Sequence, residues 1–162
     1  AEEWGLVADV FGDNLNPVLN VLEADKAGAK CQAAVAKDYD KLISVKLDAF
    51  VRCKKAGLKS GYINSGARLT GCFDAVVADP KGKVEKTTLK LKSRMFSKCV
   101  GLGIDRSALF PGLCTDEDSV ASLSNCMVDR VDCRACQMLN AFDGLSEDCD
   151  TFDDGVLNAS CQ

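Results

Sequence analysis

Apolar residues in this chain recur at three- and four-residue steps, the spacing that gathers side chains on one face of a helix. From Ala27 to Lys55 there is no proline, and Cys31, Val35, Tyr39, Leu42, Ala49, Phe50 and Cys53 keep that rhythm, which predicts a long amphipathic helix. Upstream, Asn16-Pro17 reads as a cap followed by proline at the first helical position, with Leu15, Val18, Leu19 and Leu22 at helical spacing, so a first helix is predicted to start there. Gly57 and Ser60-Gly61 supply the chemistry for a chain reversal before Cys72, and Phe73 to Ala78 is apolar enough to be buried. Asp79-Pro80 is read as restarting a helix, in preference to a turn with Lys81-Gly82. Val84, Thr88, Leu91, Met95 and Cys99 then form a buried stripe, and Lys86, Lys90, Lys92 and Lys98 face solvent. Gly101, Gly103 and Phe110-Pro111-Gly112 make a connection. Thr115 to Asp118 has the form of a capping box opening a further helix, with Val120, Leu123, Met127, Val131 and Met138 on its buried face. Beyond Asp143 glycine and aspartate dominate, which predicts a cross-linked loop with at most one short turn of helix. The predicted class is all-α: disulfide-stapled antiparallel hairpins with an irregular acidic C-terminal loop. It is read as one domain, with a hairpin region over 17–112 and a cysteine-rich helix and loop over 113–162.

Ten cysteines in 162 residues change that picture from a bundle held by burial to one held by cross-links. Thiols at that density are structural mainly in oxidising compartments, so the chain is expected to be exported, to a periplasm or the extracellular space, with Ala1-Glu2-Glu3-Trp4 suiting the end left by a signal peptidase. Cys31 and Cys53 lie about 33 Å apart along a continuous helix, far beyond the roughly 7 Å limit between bridged Cα atoms. They share one helix face, so an antiparallel return pairs Cys53 with Cys72 near the turn and Cys31 with Cys99 at the open end. Cys114, Cys126, Cys133, Cys136, Cys149 and Cys161 are expected to form three more bridges, with fifteen pairings open. A weak internal repeat sets the segment from Cys31 to Asp38 against that from Cys72 to Asp79. It also places Phe50 and Phe96 three residues before their cysteines, and Lys46 and Lys92 seven before, which suggests duplication of one helix.

The chain has no histidine, which excludes Ser/His/Asp and Cys/His catalysis and, with Gln137 after Cys136, a c-type haem attachment. Zinc is not expected either, since the cysteines do not form paired knuckles. Charge is uneven: residues 30–99 carry 16 Lys and Arg against 6 Asp and Glu, whereas residues 100–162 carry 3 against 12, within a net charge of −4. A basic hairpin between acidic ends can dock on an anionic surface or an acidic partner, or the segments can neutralise each other. Nucleic acid is not expected, because the basic face has no aromatic ladder. No stretch approaches the roughly 18 consecutive apolar residues of a membrane helix. Asp148, Asp150, Asp153 and Asp154 beside Gly155 are candidate calcium ligands, although Phe152 falls where an EF-hand loop needs an oxygen and no glutamate closes the loop; the alternative is an acidic turn that caps backbone amides. Cys133-Arg134-Ala135-Cys136 could form an exchangeable disulfide, but redox pairs of that spacing open a helix after a strand, and this one falls late in a predicted helix. Asn158-Ala159-Ser160 matches a glycosylation sequon.

The segment running from Cys133-Arg134-Ala135-Cys136 through Asp143-Gly144-Leu145, Asp148-Cys149-Asp150 and Phe152-Asp153-Asp154-Gly155 to Asn158-Ala159-Ser160-Cys161 resembles the cysteine-rich ends of uncharacterised exported bacterial proteins. The resemblance implies bacterial export and carries no known activity. Together these readings point to a non-enzymatic scaffold or accessory subunit that binds a protein partner. The rivals are a calcium- or anionic-surface-binding module and a thiol–disulfide oxidoreductase using Cys133 and Cys136. No organic cofactor is expected.

Overall fold

A computed structural model describes residues 5–16, 18–19, 25–101 and 106–161. The helices are α1 (Leu6–Phe11), α2 (Lys26–Ser60), α3 (Gly66–Thr70), α4 (Cys72–Ala78), α5 (Lys83–Cys99), α6 (Arg106–Leu109), α7 (Val120–Asp143) and α8 (Cys149–Asp154). Among the described residues there is no strand, and the fold is all-α and stapled by five disulfides. No helix of the described residues is long and apolar enough to cross a membrane.

The long second helix and the fifth follow the predicted periodicity, but three boundaries differ. The helix predicted from Pro17 is replaced, over the described residues, by a turn in which the amides of Val18 and Leu19 both donate to the Leu15 carbonyl; residues 17 and 20–24 lie outside the described set. Asn-Pro serves a turn as readily as a helix start, and the first helix lies upstream at Leu6. Asp79 does not start a helix. It takes a left-handed conformation (φ 38°) at the end of α4, its carbonyl accepts from the Gly82 amide, and its carboxylate accepts from the amides of Lys83 and Glu85, so helix resumes three residues later than the Asp-Pro reading requires. The capping box is also displaced. Ser119 and Ser122 exchange side-chain and amide hydrogen bonds and open α7 at Val120, while Thr115 and Asp116 lie in a turn.

The chain divides into two compact units, Ala1–Asp40 with Leu89–Arg130, and Lys41–Thr88 with Val131–Gln162. In the first, Cys31 bridges Cys99 and Cys114 bridges Cys126. Phe11 and Phe110 pack with ring centroids 5.9 Å apart, and the buried Gln32 amide donates to the carbonyls of Val18 and Leu109, tying two loops to α2. Arg94 pairs with the buried Asp38 at 3.1 Å. Gly112 lets the connection cross the end of α1: its amide and that of Leu113 donate to the Val10 and Asp9 carbonyls, and a Cβ there would lie 2.1 Å from the Asp9 carbonyl oxygen.

The second unit is built on Phe50, Ile63, Cys72, Phe73, Val76, Cys136 and Leu139. Phe73 stands edge-on between Phe50 (5.2 Å) and Phe152 (5.3 Å), so one aromatic joins α4 to α2 and α8. Cys53 bridges Cys72, Cys133 bridges Cys161, and Cys136 bridges Cys149. Lys46 and Asp132, both buried, form an ion pair inside this unit. The internal repeat does not place its copies alike: Phe50 is fully buried, whereas Phe96 is 50% exposed.

Two predictions follow from these contacts. Gly112→Ala cannot be accommodated without moving backbone, so its urea midpoint should fall by the equivalent of about 2 to 3 kcal/mol; an unchanged midpoint would show that the loop packs elsewhere. Lys46→Met strands the Asp132 carboxylate and should cost about 3 to 5 kcal/mol at neutral pH, whereas Lys46→Met with Asp132→Leu should restore most of that loss. Burial already raises the Asp132 carboxyl above its ordinary value despite the opposing pull of Lys46, with Asp153 adding repulsion. Without Lys46 it rises further. A raised folded value gives stability that is present at acid pH and lost as pH rises through it, so the Lys46→Met deficit should shrink between pH 7 and pH 4 in urea titrations.

Candidate functional site

The acidic C-terminal loop is held by its own backbone. Asp148 is the N-cap of α8, accepting from the amides of Asp150 and Thr151. Asp150 accepts from the amides of Asn158, Ala159 and Cys161 and from the Ser160 hydroxyl, gathering residues 158–161 around one carboxylate. Burial pushes its carboxyl up, but those donors outweigh it and hold it below the usual carboxylate range. Asp153 receives the Ser160 hydroxyl at 2.7 Å while its other oxygen is buried without a partner; burial raises it, and the neighbouring Asp154 and Asp150 raise it further. Asp154 accepts from the Val156 amide and the Asn158 side chain. Asp148, Asp150 and Asp154 thus accept from backbone amides while Asp150 and Asp153 share the Ser160 hydroxyl, and among the described residues no three His, Cys, Asp or Glu side chains are grouped to hold a metal.

Cys133 and Cys136 are brought into the same core but not onto each other. Each is buried and bridged to a different residue of the terminal loop, Cys161 and Cys149, so the four-residue motif forms two staples rather than one exchangeable pair. The sequon residue Asn158 is exposed, with its amide nitrogen engaged by Asp154.

A second feature has no counterpart among the sequence-predicted sites. Helix α2 ends where Gly57 allows Ile63 to lie against it: a Cβ at Gly57 would meet the Ile63 side chain at 2.4 Å, and the Ile63 amide donates to the Gly57 carbonyl. Gly61 takes the left-handed conformation (φ 74°) that reverses the chain. Ser65 then caps α3 by accepting from the Arg68 amide. This returns Arg68 over the loop, where its guanidinium donates to the Tyr62 carbonyl at 2.9 Å and sits 5.0 Å above the Tyr62 ring. Tyr62 is 64% exposed yet fixed from behind, an aromatic ring held out to solvent.

Beside this ring lies a groove of about 620 Å³, lined by the Cys53–Cys72 bridge, Ala56, Ile63 and Ala67 and by the charged pair Arg68 and Asp74. A smaller hollow of about 350 Å³ shares Cys53 and Ala56 and is bounded by Arg52, Pro80 and Lys81. Asp79 borders it, but burial there is outweighed by the amides of Glu85, Val84 and Lys83, which keep its carboxyl below the usual range, and its acceptors face the start of α5. The larger groove is lined by small and apolar residues, one exposed aromatic, and one cation and one carboxylate, Arg68 and Asp74, a surface of the kind that receives a side chain. The only cue in the sequence is an aromatic inside a Gly-Ser-Asn loop, with arginine six residues on.

Asp150→Asn replaces a carboxylate oxygen with a donor facing backbone amides, so hydrogen exchange at Asn158, Ala159 and Cys161 should quicken at least tenfold while α2 stays protected; unchanged exchange would remove Asp150 as the organiser of the loop. Because its folded value is depressed, the stability it contributes is present above the ordinary carboxylate range and lost as pH falls through that lower value, so the same amides should open in acid. Comparison with protein-family models, with curated proteins and with solved structures gives no match to this chain.

Proposed function

We propose that this chain is a non-enzymatic exported scaffold or accessory subunit, presenting the Tyr62 groove to a protein partner in a periplasmic or extracellular assembly. Five disulfides and no free cysteine belong to an oxidising compartment outside the cytosol. The resemblance of the C-terminal segment to cysteine-rich bacterial exported proteins favours the bacterial envelope or its surroundings.

The observation that carries the reading is the exposed tyrosine itself. Tyrosine and arginine dominate binding hot spots because they bring large contact area with little rotamer freedom to lose, and here the Arg68 contact has already fixed the ring. The Cys53–Cys72 bridge lining the same groove reduces the ordering that binding would otherwise require. The calcium rival is not favoured, since each of the four candidate aspartates already accepts a hydrogen bond from its own loop. The oxidoreductase rival needs a bridge between Cys133 and Cys136, and each has another partner.

The test is site-specific photocrosslinking in the producing cell with a benzophenone amino acid at position 62, against a control at the exposed Val156. A single discrete adduct at 62, absent at 156 and abolished by Arg68→Ala, is the expected result. Equal labelling at both positions would overturn the reading.

A further inference from the structure

We infer that the Cys53–Cys72 bridge is a site of thiol–disulfide exchange, opened by a dithiol, and that its opening releases the segment carrying Tyr62 and Arg68; this rests on the partner-binding reading above and adds its regulation. Access comes first. Cys53 is half-buried and borders both hollows, the larger one together with Cys72. Cys72 is only 1% exposed, so an attacking thiolate meets the bridge at Cys53.

The enclosed segment has little else to hold it. Of residues 54–71 only Ile63 is buried, and α3 buries none of its residues. Its loop hydrogen bonds begin and end inside 57–71: Ile63 on Gly57, Tyr62 on Ser60, Arg68 on Ser65 and Tyr62, Thr70 on Gly66. These bonds shape the reversal without tying it to α4. That connection is made by the bridge and by the packing of Ile63 and Leu69 on the core.

The other bridges lack this combination. Both sulfur-bearing residues are buried in Cys31–Cys99 and in Cys133–Cys161. Cys126 and Cys149 are half-buried, as Cys53 is, but what they enclose is packed. The segment from Cys114 to Cys126 includes the buried Val120 and Leu123. That from Cys136 to Cys149 includes the buried Leu139, and the Asn140 side chain clamps it by donating to the Glu147 carbonyl and accepting from its amide. Separating either pair of sulfurs disturbs a core, whereas separating Cys53 from Cys72 moves a segment that is mostly on the surface.

The chemistry balances with a dithiol as the reductant. One thiolate of the dithiol attacks Cys53 Sγ; as that S–S bond forms, the Cys53–Cys72 bond breaks and Cys72 leaves as a thiolate, which takes a proton from water. The second thiolate of the dithiol then attacks its own partner sulfur and displaces Cys53. The dithiol ends as a disulfide, and both cysteines end as thiols. Bridged, the segment holds Arg68 over Tyr62 beside a finished groove; reduced, it keeps its local turns and loses its fixed place on α4.

The experiment exposes the native, fully bridged chain to limiting dithiothreitol, traps thiols with iodoacetamide and maps them by peptide mass. Cys53 and Cys72 should be labelled roughly tenfold faster than any other cysteine. In the species reduced only there, hydrogen exchange at the Ile63 and Leu69 amides should quicken roughly tenfold while α7 stays protected. Earlier labelling of another pair, or unchanged exchange at Ile63 and Leu69, would overturn the inference. Cys53→Ser with Cys72→Ser should reproduce the quickened exchange without any reductant. Neither readout involves a partner, so a missing photocrosslink at position 62 in the bridged protein would sink the partner-binding reading and leave the exchange site standing.

Discussion

The Cys53–Cys72 bridge is the constraint on which the rest of the second unit depends. It fixes two Cα atoms 5.6 Å apart at the point where the chain has just reversed, and it occupies the position that a pair of large aliphatic side chains would fill in an ordinary helical hairpin. On one side Cys72 packs with Phe50, Ile63 and Phe73, while the hollows beside the bridge are lined by small residues: Ala49 and Ala56 on α2, Ala75 on α4, Ala67 on α3. A bridge flanked by alanines holds the elements together without filling the space beside them, so hollows are left on either side of the sulfurs. The same substitution of cross-link for bulk recurs at the C-terminus, where Cys133–Cys161 and Cys136–Cys149 join α7 to a loop whose largest buried apolar contribution is the ring of Phe152. In the chain-entropy account, closing loops of 28 and 13 residues restricts the unfolded state by about 3.6 and 2.9 kcal/mol, comparable to burying one or two large side chains for each bridge.

Within that stapled frame the buried Lys46–Asp132 pair is the least expected contact, because an ion pair removed from water rarely stabilises more than a hydrophobic pair of similar volume. Its effect is on uniqueness. Helices of this regular apolar periodicity can slide by a turn against one another at little hydrophobic loss, whereas an uncompensated buried charge penalises every register but one. Lys54 with Asp143 repeats the pairing two turns further along α2, partly exposed. Both pairs join the basic segment to the acidic C-terminal one, so part of the charge imbalance along the sequence is resolved inside the fold.

Much of this architecture was legible in the residues. The stripe from Cys31 to Cys53 defines α2, and its length forbids those two cysteines from meeting, which leaves Cys99 and Cys72 as their partners once the chain returns antiparallel. The other three bridges were not readable, because they depend on where α7 begins. With the capping box at Ser119 rather than Thr115, Cys126 sits in the second turn and faces the loop that carries Cys114. The buried ion pair left a trace that periodicity alone passes over: Lys46 lies on the same stripe as Leu42, Phe50 and Cys53, and Asp132 sits between the buried Val131 and Cys133. A charge on each of two apolar faces is what a buried pair looks like in sequence. The hydrogen bonds of the tail follow from its composition, since a short irregular loop exposes many backbone amides and nearby carboxylates accept from them. Tyr62 and Arg68 lie outside any periodic pattern, and only the turn made by Gly57 and Gly61 brings them together.

The position of that turn explains why the groove, rather than the better-stapled C-terminal end, is the place to look for function. At the tail, each hydrogen-bonding side chain among the four aspartates accepts from its own loop, so recognition there would first have to break an internal bond. At the reversal after α2, the loop's internal bonds are made by the backbone, by the Ser60 and Ser65 hydroxyls and by Arg68, and the Tyr62 ring remains exposed. An aromatic left 64% exposed sacrifices the burial it could have gained in the core, and holding it with an arginine loses the freedom of that side chain as well. The hydrogen bond and the cation–ring contact between the two residues offset only part of these losses. A partner that covers the ring and the apolar floor would recover both, and that imbalance ties the geometry of the loop to binding.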